Sequence, residues 1–572
     1  MRAFTRTAIF GMGVSLLVGG CSGMDASSTK SSDFGTPPPA GETGNPGTGR
    51  SGTTGGTGGS GGSGNVGGIP INPGASGRAG GGPGGTAVDA GPNQGDKYAA
   101  VGTNPFVVVA HDPLSTFGAD VDTASYDVFR RDVNLGGLPQ PASVRLEEYV
   151  NSFPYDYPAP GDGDQHPFRI SLAAAPHLLA RSSSLLRVGI QATKPPPFQK
   201  KPANLVFLVD TSGSMMTENK LPLAQFTLTQ TLDVLDATDV VSIVSYAGNV
   251  AVRLPPTPVA NRLEIVRAIA GLTGGGSTNG AGGIQLAYQQ AQQAYIQEGI
   301  NHVILCTDGD FNVGVSSTQG LVDLITEKRK TGITLTVLGY GVGNLNDAMM
   351  EAISNKGNGI YGVISSQDHA TRYVHERMLS TLEHAAKDMK IQVEFNPDLI
   401  YAYRLLGYEN RAIADRDFRN DVIDAGEVGK GHRVTALYEF VETGRSLPLP
   451  RSGELPPLDG TPYTGPREVA SGDFVMVKVR YKTPAAAETD PAFEVAASMN
   501  PEAVIPILSA GDLDLQWAIA IAGFSEILKG SPYGDVGHLE VVRQIANAQS
   551  HRDRDRAEFL ELLTKAWPRL PQ

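Results

Sequence analysis

Cysteine is nearly missing from this chain. Its 572 residues contain two, Cys21 and Cys306, and that excludes a disulfide framework. A basic surplus is missing too: 46 Lys and Arg stand against 59 Asp and Glu, a formal net charge of −13. Non-specific nucleic-acid binding needs phosphate neutralisation by Lys and Arg, so that class of function is excluded as well. The N-terminal apolar stretch Ala8 to Val18 is too short to span a bilayer with margin. What the chain has in excess is glycine. Its 70 glycines are unevenly spread, with nine in the fourteen positions 55–68. The remainder is ordinary, and 40% hydrophobic residues suffice for a buried core.

The start "MRAFTRTAIFGMGVSLLVGGCSG" has Arg2 and Arg6, a short apolar stretch and the small pair Gly19-Gly20. This is secretory signal grammar over residues 1–20. "LVGGC" resembles a bacterial lipobox, which implies cleavage before Cys21 and acylation of that residue. More than one acyl chain gives stable anchoring. The alternative is an ordinary signal peptide that happens to contain a cysteine. Ser22, a residue other than Asp, points to the outer membrane of a bacterial cell envelope. Residues 21–97 form a glycine-rich, disordered linker that cannot bury enough apolar surface to offset chain entropy. As a flexible coil it would reach roughly 50 Å.

Order is expected from residue 98. Region 98–202 reads as short helices at 125–134 and 143–152, with Ser143 as N-cap, then strands at 168–172 and 186–192. Region 203–385 alternates strand and helix. "ANLVFLVD" precedes a helix at 220–235 whose apolar face is Leu221, Ala224, Leu228, Leu232 and Leu235. "HVILCTDGD" is a continuous apolar run, the mark of a strand covered on both faces. Six strands with intervening helices predict an α/β, doubly wound, mostly parallel sheet, closed by a helix near 367–384. Region 386–484 switches to period two at 389–395, 433–440 and 474–481, an antiparallel β-sandwich pattern. Region 485–572 is helical, with helices at 512–529, stopped by Gly530, and within 538–566. Because strands of sandwich type lie on both sides of the α/β region, that region is expected to be inserted into, or flanked by, one sandwich.

Asp210 ends the first α/β strand, and ligands bind at that edge of open sheets. Ser212 and Ser214 lie in the loop that follows. "GGGSTNGAGG" brings Ser277 and Thr278 to the same rim, and "LCTDGD" brings Asp308. Strands one and four should be neighbours, so Asp210 and Asp308 should lie close together. Hydroxyls and carboxylates make a hard-oxygen set suited to Mg²⁺, with too few carboxylates for a closed cage. A ligand group or water must complete it.

"VFLVDTSGSM", "GGGSTNGAGG" and "ILCTDGDFN" resemble the three segments of a von Willebrand factor type A domain with its metal-ion-dependent adhesion site. The resemblance implies that Asp210, Ser212, Ser214, Thr278 and Asp308 surround one Mg²⁺ (or Mn²⁺ or Ca²⁺). The serines and Thr278 would bind directly, Thr278 alternatively through water, and the two carboxylates mostly through bridging waters. The open position would accept an Asp or Glu of a protein partner. Asp310 adds a carboxylate that is expected to face solvent. The 98–202 region resembles the segment preceding the type A domain in a group of bacterial proteins. The part from about 386 resembles the domain of unknown function that follows it there.

Enzymatic readings find little support. No Gly-x-Ser-x-Gly elbow stands at a strand-to-helix turn, and His302 opens its strand at the end away from the rim. "GLTGGGST" lacks the lysine of a phosphate loop. "VHERM" at His375 lacks the second histidine of a zinc-protease helix. "DVDTA" (120–124) has Ala124 where a phosphatase would carry Thr or Val, so it reads as a turn or cap. "HRDRDR" (551–556) reads as a solvated helix face or kink, and Cys306 as a buried inert thiol. The expected function is a non-enzymatic, lipid-anchored, adhesion-type module that binds a protein partner and the membrane, with no nucleic acid and no evident small-molecule substrate. The alternatives are an envelope assembly or chaperone-like factor using the same site and, last, a metal-dependent hydrolase.

Overall fold

The computed structural model describes residues 95–571 apart from 162, 178–181, 195–199, 311–316, 379–381, 454, 456–459, 488 and 507–511. The expected signal peptide, Cys21 and all but the end of the 21–97 linker lie outside the described residues.

Strands β1 (Val107–Val108) and β2 (Leu114–Gly118) come first, then helices α1 (Ala124–Asn134) and α2 (Leu146–Asn151), then strands β3 (Phe168–Pro176) and β4 (Ser184–Ala192). The α/β region follows: β5 (Ala203–Asp210), α3 (Leu221–Thr231), β6 (Val240–Tyr246), β7 (Val250–Pro258), α4 (Arg262–Ala270) and α5 (Gly280–Gln293). It continues with β8 (Ile300–Thr307), α6 (Thr318–Lys328), β9 (Thr334–Tyr340), α7 (Asp347–Lys356), β10 (Tyr361–Ile364) and α8 (Gln367–Arg372). Then come β11 (His384–Phe395), β12 (Ile400–Leu406), β13 (Gly426–Gly429), β14 (Arg433–Glu442), β15 (Val475–Lys482) and β16 (Phe493–Met499). Helices α9 (Leu513–Lys529), α10 (Leu539–Gln549) and α11 (Arg554–Ala566) follow.

The α/β sheet has the order β10-β9-β8-β5-β6-β7. All neighbours are parallel except β7, which runs antiparallel to β6. Every residue of β5 and of β8 is buried, because helices cover both faces. Leu221, Ala224, Leu228 and Leu232 pack on one face with Phe207 and Ile304, while Ile284, Ala287 and Leu321 pack on the other with Val206 and Val303. The buried thiol of Cys306 lies in the first of these cores.

The expected insertion is present. Strand β4, ahead of the α/β region, pairs antiparallel with β14, behind it, from Arg433 opposite Gln191 to Phe440 opposite Ser184. One sandwich sheet is β1-β12-β14-β4-β3. The facing sheet runs β13-β11-β15-β16, with β2 also on β11. Val188, Ile190, Val434 and Tyr438 meet Ile391, Val393, Val477 and Val479 between them. The opposite face of the first sheet, through Leu185, Leu437 and Leu406, packs on Tyr149, Phe153, Trp517 and Phe559 of the helical layer. That third layer explains why all nine residues of β4 are buried.

Several sequence expectations need correction. Ser143 is not an N-cap: it ends a short 3₁₀ turn and its hydroxyl donates to the Gln140 carbonyl at 2.7 Å, so α2 starts at Leu146. The helix expected near 367–384 is present over its described residues, with a π-helical turn at Tyr373–Met378 and Leu382 again helical, and extended backbone begins at His384. "DVDTA" is a turn as expected, the Asp122 N–H donating to Asp120 Oδ1 at 2.9 Å ahead of α1, but its aspartates also hold neighbouring elements: Asp122 accepts the Tyr361 N–H at 2.9 Å, and both bind Arg411. "HRDRDR" is not wholly solvated, because Arg556 is 1% exposed and binds Asp514 at 2.7 Å.

Candidate metal centre

The rim of the α/β sheet gathers the singled-out residues. Asp210 is the last residue of β5, and Ser212 is the extended residue before a 3₁₀ turn at Gly213–Met216. The loop is held in place from two sides. The Thr211 N–H donates to the Tyr246 carbonyl at 2.9 Å. From the second loop, the Gly275 N–H donates to the Thr211 carbonyl at 2.8 Å, and the Gly276 carbonyl accepts the Gly213 N–H at 3.2 Å. Gly276 has φ +93°, a conformation that side chains resist, and it sits against the backbone of Gly248. Thr278, buried, follows two residues later, just ahead of Asn279, whose side chain caps α5.

The side chains sort into two layers. Ser212 Oγ and Ser214 Oγ lie 3.0 Å apart. Two adjacent ligands of an octahedral ion at 2.0–2.1 Å are separated by about 3 Å, so this spacing fits one edge of such a shell. The carboxylates stand behind and are already engaged. Asp210 Oδ1 accepts the Ser212 N–H at 2.8 Å, and Oδ2 accepts the Thr307 hydroxyl at 3.1 Å. Asp308 Oδ1 accepts the Asp310 N–H at 3.2 Å. Asp308 Oδ2 accepts from Lys220 Nζ at 3.0 Å and Asn344 Nδ2 at 2.9 Å. Thr307, the residue before Asp308, thus ties the end of β8 to the Asp210 carboxylate, and its hydroxyl also accepts the Gly309 N–H at 2.9 Å. Asp210 and Asp308 are fully buried, while Ser214 is half-buried and Gly213 and Met216 are exposed, so the site opens toward solvent on the serine side.

Burial pushes the Asp210 carboxyl up to about 7. The Ser212 N–H pulls it back, the Asp308 charge adds to the rise, and the hydroxyls of Ser212 and Thr307 oppose it. A divalent ion in front of the serines would favour the ionised form. The hydroxyl pair, the buried carboxylates and the open side together fit a hard cation held by few protein charges.

Lys220, Asn344 and Thr307 escaped the sequence reading, because only the tertiary fold brings them to Asp308 and Asp210. So did a second acidic group, Asp388, Asp424 and Glu427, whose carboxylate oxygens lie within 4.8 Å of one another. Arg329 and Lys356 bind Asp424 at 2.8 and 2.9 Å, and Lys482 lies 3.4 Å from Asp388. Those cations serve the two aspartates, while Glu427 has no ion-pair partner among the described residues and its buried Oε1 accepts no hydrogen bond. His302 of β8 is buried, with its ring against Thr334.

Residues 204–376 match the von Willebrand factor type A domain family, and residues 92–187 match the family described as von Willebrand factor. Residues 380–567 match the family described as Uncharacterized protein YfbK, C-terminal. Over 484 residues the chain is 36% identical to the Uncharacterized protein YfbK of Escherichia coli (strain K12), which covers 82% of this chain and 81% of that protein. The chain belongs to the YfbK family. It contains a von Willebrand factor type A domain, and none of the three matched families has a catalytic description. A 167-residue stretch of this YfbK-family chain is 26% identical to inter-alpha-trypsin inhibitor heavy chain H4 of Bos taurus, 28% of this chain and 18% of that one. Among solved structures, a von Willebrand factor type A protein from Catenulispora acidiphila aligns over 70% of this chain and 90% of its own, at 15% identity and a TM-score of 0.41. No helix among the described residues is long and apolar enough to cross a membrane.

Proposed function

We propose that this protein is a non-enzymatic binding module of the bacterial cell envelope. Its type A domain holds one divalent ion, Mg²⁺ or else Mn²⁺ or Ca²⁺, through Ser212, Ser214 and Thr278, with Asp210 and Asp308 behind them. The ion supplies an electrophilic position for an Asp or Glu carboxylate of a protein partner. The observation that carries this reading is the 3.0 Å hydroxyl pair backed by two buried carboxylates and open to solvent on one side. Acylation at Cys21 would tether the module to the outer membrane through the glycine-rich linker.

The test is a crosslinking pulldown with the full chain in Mg²⁺ and in EDTA, beside Asp210→Ala. Capture of a partner that is lost both in EDTA and in Asp210→Ala supports the reading. Equal capture by wild type in Mg²⁺, wild type in EDTA and the variant rejects it. Lipidation is checked separately by fatty-acid labelling, which Cys21→Ser must abolish.

A further inference from the structure

Lys220 is a cation built into the back of the proposed metal site. Its side chain is 7% exposed, and its ammonium donates to Asp308 Oδ2 at 3.0 Å and to Asn344 Oδ1 at 2.6 Å. Asn344 closes the triangle by donating to the same Asp308 oxygen at 2.9 Å. Space for the lysine is provided by Gly341, with φ +92°, where a Cβ would lie 2.2 Å from Lys220 Cε. The loop carrying Gly341 and Asn344 is fixed from outside the type A domain. Asp96 Oδ1 accepts the N–H groups of Gly343 and Leu345 at 2.7 and 2.8 Å, and Arg131 donates to the Gly341 carbonyl at 3.0 Å. A buried ammonium is costly unless paired, and Asp308 is its ion-pair partner.

We propose that Lys220 is a positioning residue that weakens divalent-ion capture by the site and makes it depend on the partner's carboxylate. The inference rests on the metal-site reading above and specifies its regulation. The argument is charge accounting in a partly buried site. Asp210 and Asp308 bring two negative charges, and Lys220 cancels one. A divalent ion then leaves the site with one net positive charge, which an incoming carboxylate neutralises. Without Lys220, the ion alone reaches neutrality and the carboxylate adds an uncompensated negative charge. Asp310 contributes equally to both cases. Lys220 therefore acts in opposite directions, opposing the ion and favouring the carboxylate, while ion and carboxylate attract each other directly and so strengthen each other reciprocally. Loss of a structural contact would weaken both.

The experiment titrates Mn²⁺ into the full chain by calorimetry at pH 8, with and without acetate as the carboxylate probe. Acetate should tighten Mn²⁺ binding to wild type about threefold or more, as expected for charge neutralisation at short range. Lys220→Met should bind Mn²⁺ about tenfold tighter than wild type and respond less to the same concentration of acetate. Lys220→Arg keeps the charge and should stay within about twofold of wild type. Wild type indifferent to acetate overturns the proposal without recourse to any variant. So does a folded Lys220→Met with unchanged or weaker Mn²⁺ binding, or a Lys220→Arg that tightens as Met does. Ser212→Ala separates the two levels. If it binds Mn²⁺ like wild type, the metal-site reading itself fails; if Mn²⁺ binding needs Ser212 but ignores Lys220 and acetate, only this inference fails.

Discussion

Arg187 in β4 stands directly opposite Leu437 in β14, with the whole type A domain between them in the chain. The sandwich is thus a single structural unit made from two separated stretches of sequence. Neighbouring elements from those stretches also complete the type A domain. Ala124 and Val128 of α1 share a core with Tyr361 and Val363 of β10. Asp122 and Asp127 accept the N–H groups of the same two β10 residues at 2.9 and 3.3 Å, capping an edge strand.

A fragment limited to residues 203–378 is therefore expected to be less stable than the same domain within the full chain. It would present an uncapped edge strand and an uncovered apolar face, which favour aggregation. Thermal unfolding and light scattering of the fragment, compared with residues 95–571, check this. A fragment as stable and monodisperse as the longer chain would contradict it.

Arg145 is 1% exposed and joins the short helix α2 to the type A domain, binding Asp347 at 2.6 Å and also Glu148. Arg145→Met would leave those carboxylates buried without their cation. The expected loss is about 3–5 kcal/mol in urea unfolding, because breaking a buried pair costs more than the pair contributes. Removing an exposed, solvent-screened pair such as Arg543–Glu540 should leave stability nearly unchanged.

Glu147 is 1% exposed, and among the described residues no cation pairs with its carboxylate, which the backbone N–H groups of Tyr408 and of Glu147 itself approach. Burial, then the charges of Glu409 and Asp120, push it up to about 7, against an ordinary value of 4.5. The folded protein thus favours the protonated acid. Its contribution to stability is complete below pH 4.5 and is lost as pH rises through 7. Glu147→Gln, which mimics the neutral acid, should be more stable than wild type at pH 8, and the gap should close toward pH 4.5. Denaturation midpoints at the two pH values measure it.

Metal addition should raise the unfolding temperature of wild type through mass action, by the equivalent of about 2.7 kcal/mol at a hundredfold excess over Kd. Ser212→Ala removes one of the paired hydroxyls and should lose most of that rise while unfolding at nearly the wild-type temperature in EDTA. Gly276→Val, placed where φ is +93°, should disturb the second loop and weaken the metal response similarly. Differential scanning fluorimetry with Mg²⁺, Mn²⁺ and EDTA gives all three comparisons.

Much of this architecture was legible because its signals are local. The apolar runs of β5 and β8, the period-two strands β14 and β15, and the glycine after α9 each declare themselves within a few residues. Asp210 and Asp308 could be placed together because strand order in a doubly wound sheet is restricted. Less local features were hidden. Strand β12 and edge strand β16 carry mixed polar and apolar residues, and the buried polar layer of β12 is paired by Glu439 and Glu526 through Arg404. Arg556 looked like one charge in a polar run, yet it closes a buried contact with Asp514 from α9. Lys220 gave no signal at all, since its role depends on a glycine cradle from a loop beyond residue 340.

The pairing of β4 with β14 also sets a schedule. A chain that is made, or threaded through a membrane, N-terminus first exposes β4 long before its neighbour exists. At roughly 5–20 residues per second, the stretch from Ala192 to Arg433 takes on the order of ten to fifty seconds to synthesise. During that interval β4, every residue of which ends up buried, has β3 on one side and nothing yet made for the other. The nascent protein must carry an open, apolar strand edge while an entire α/β domain folds behind it. Its yield in the cell should depend on holding factors that act in that window, even though the finished fold leaves no such edge on β4.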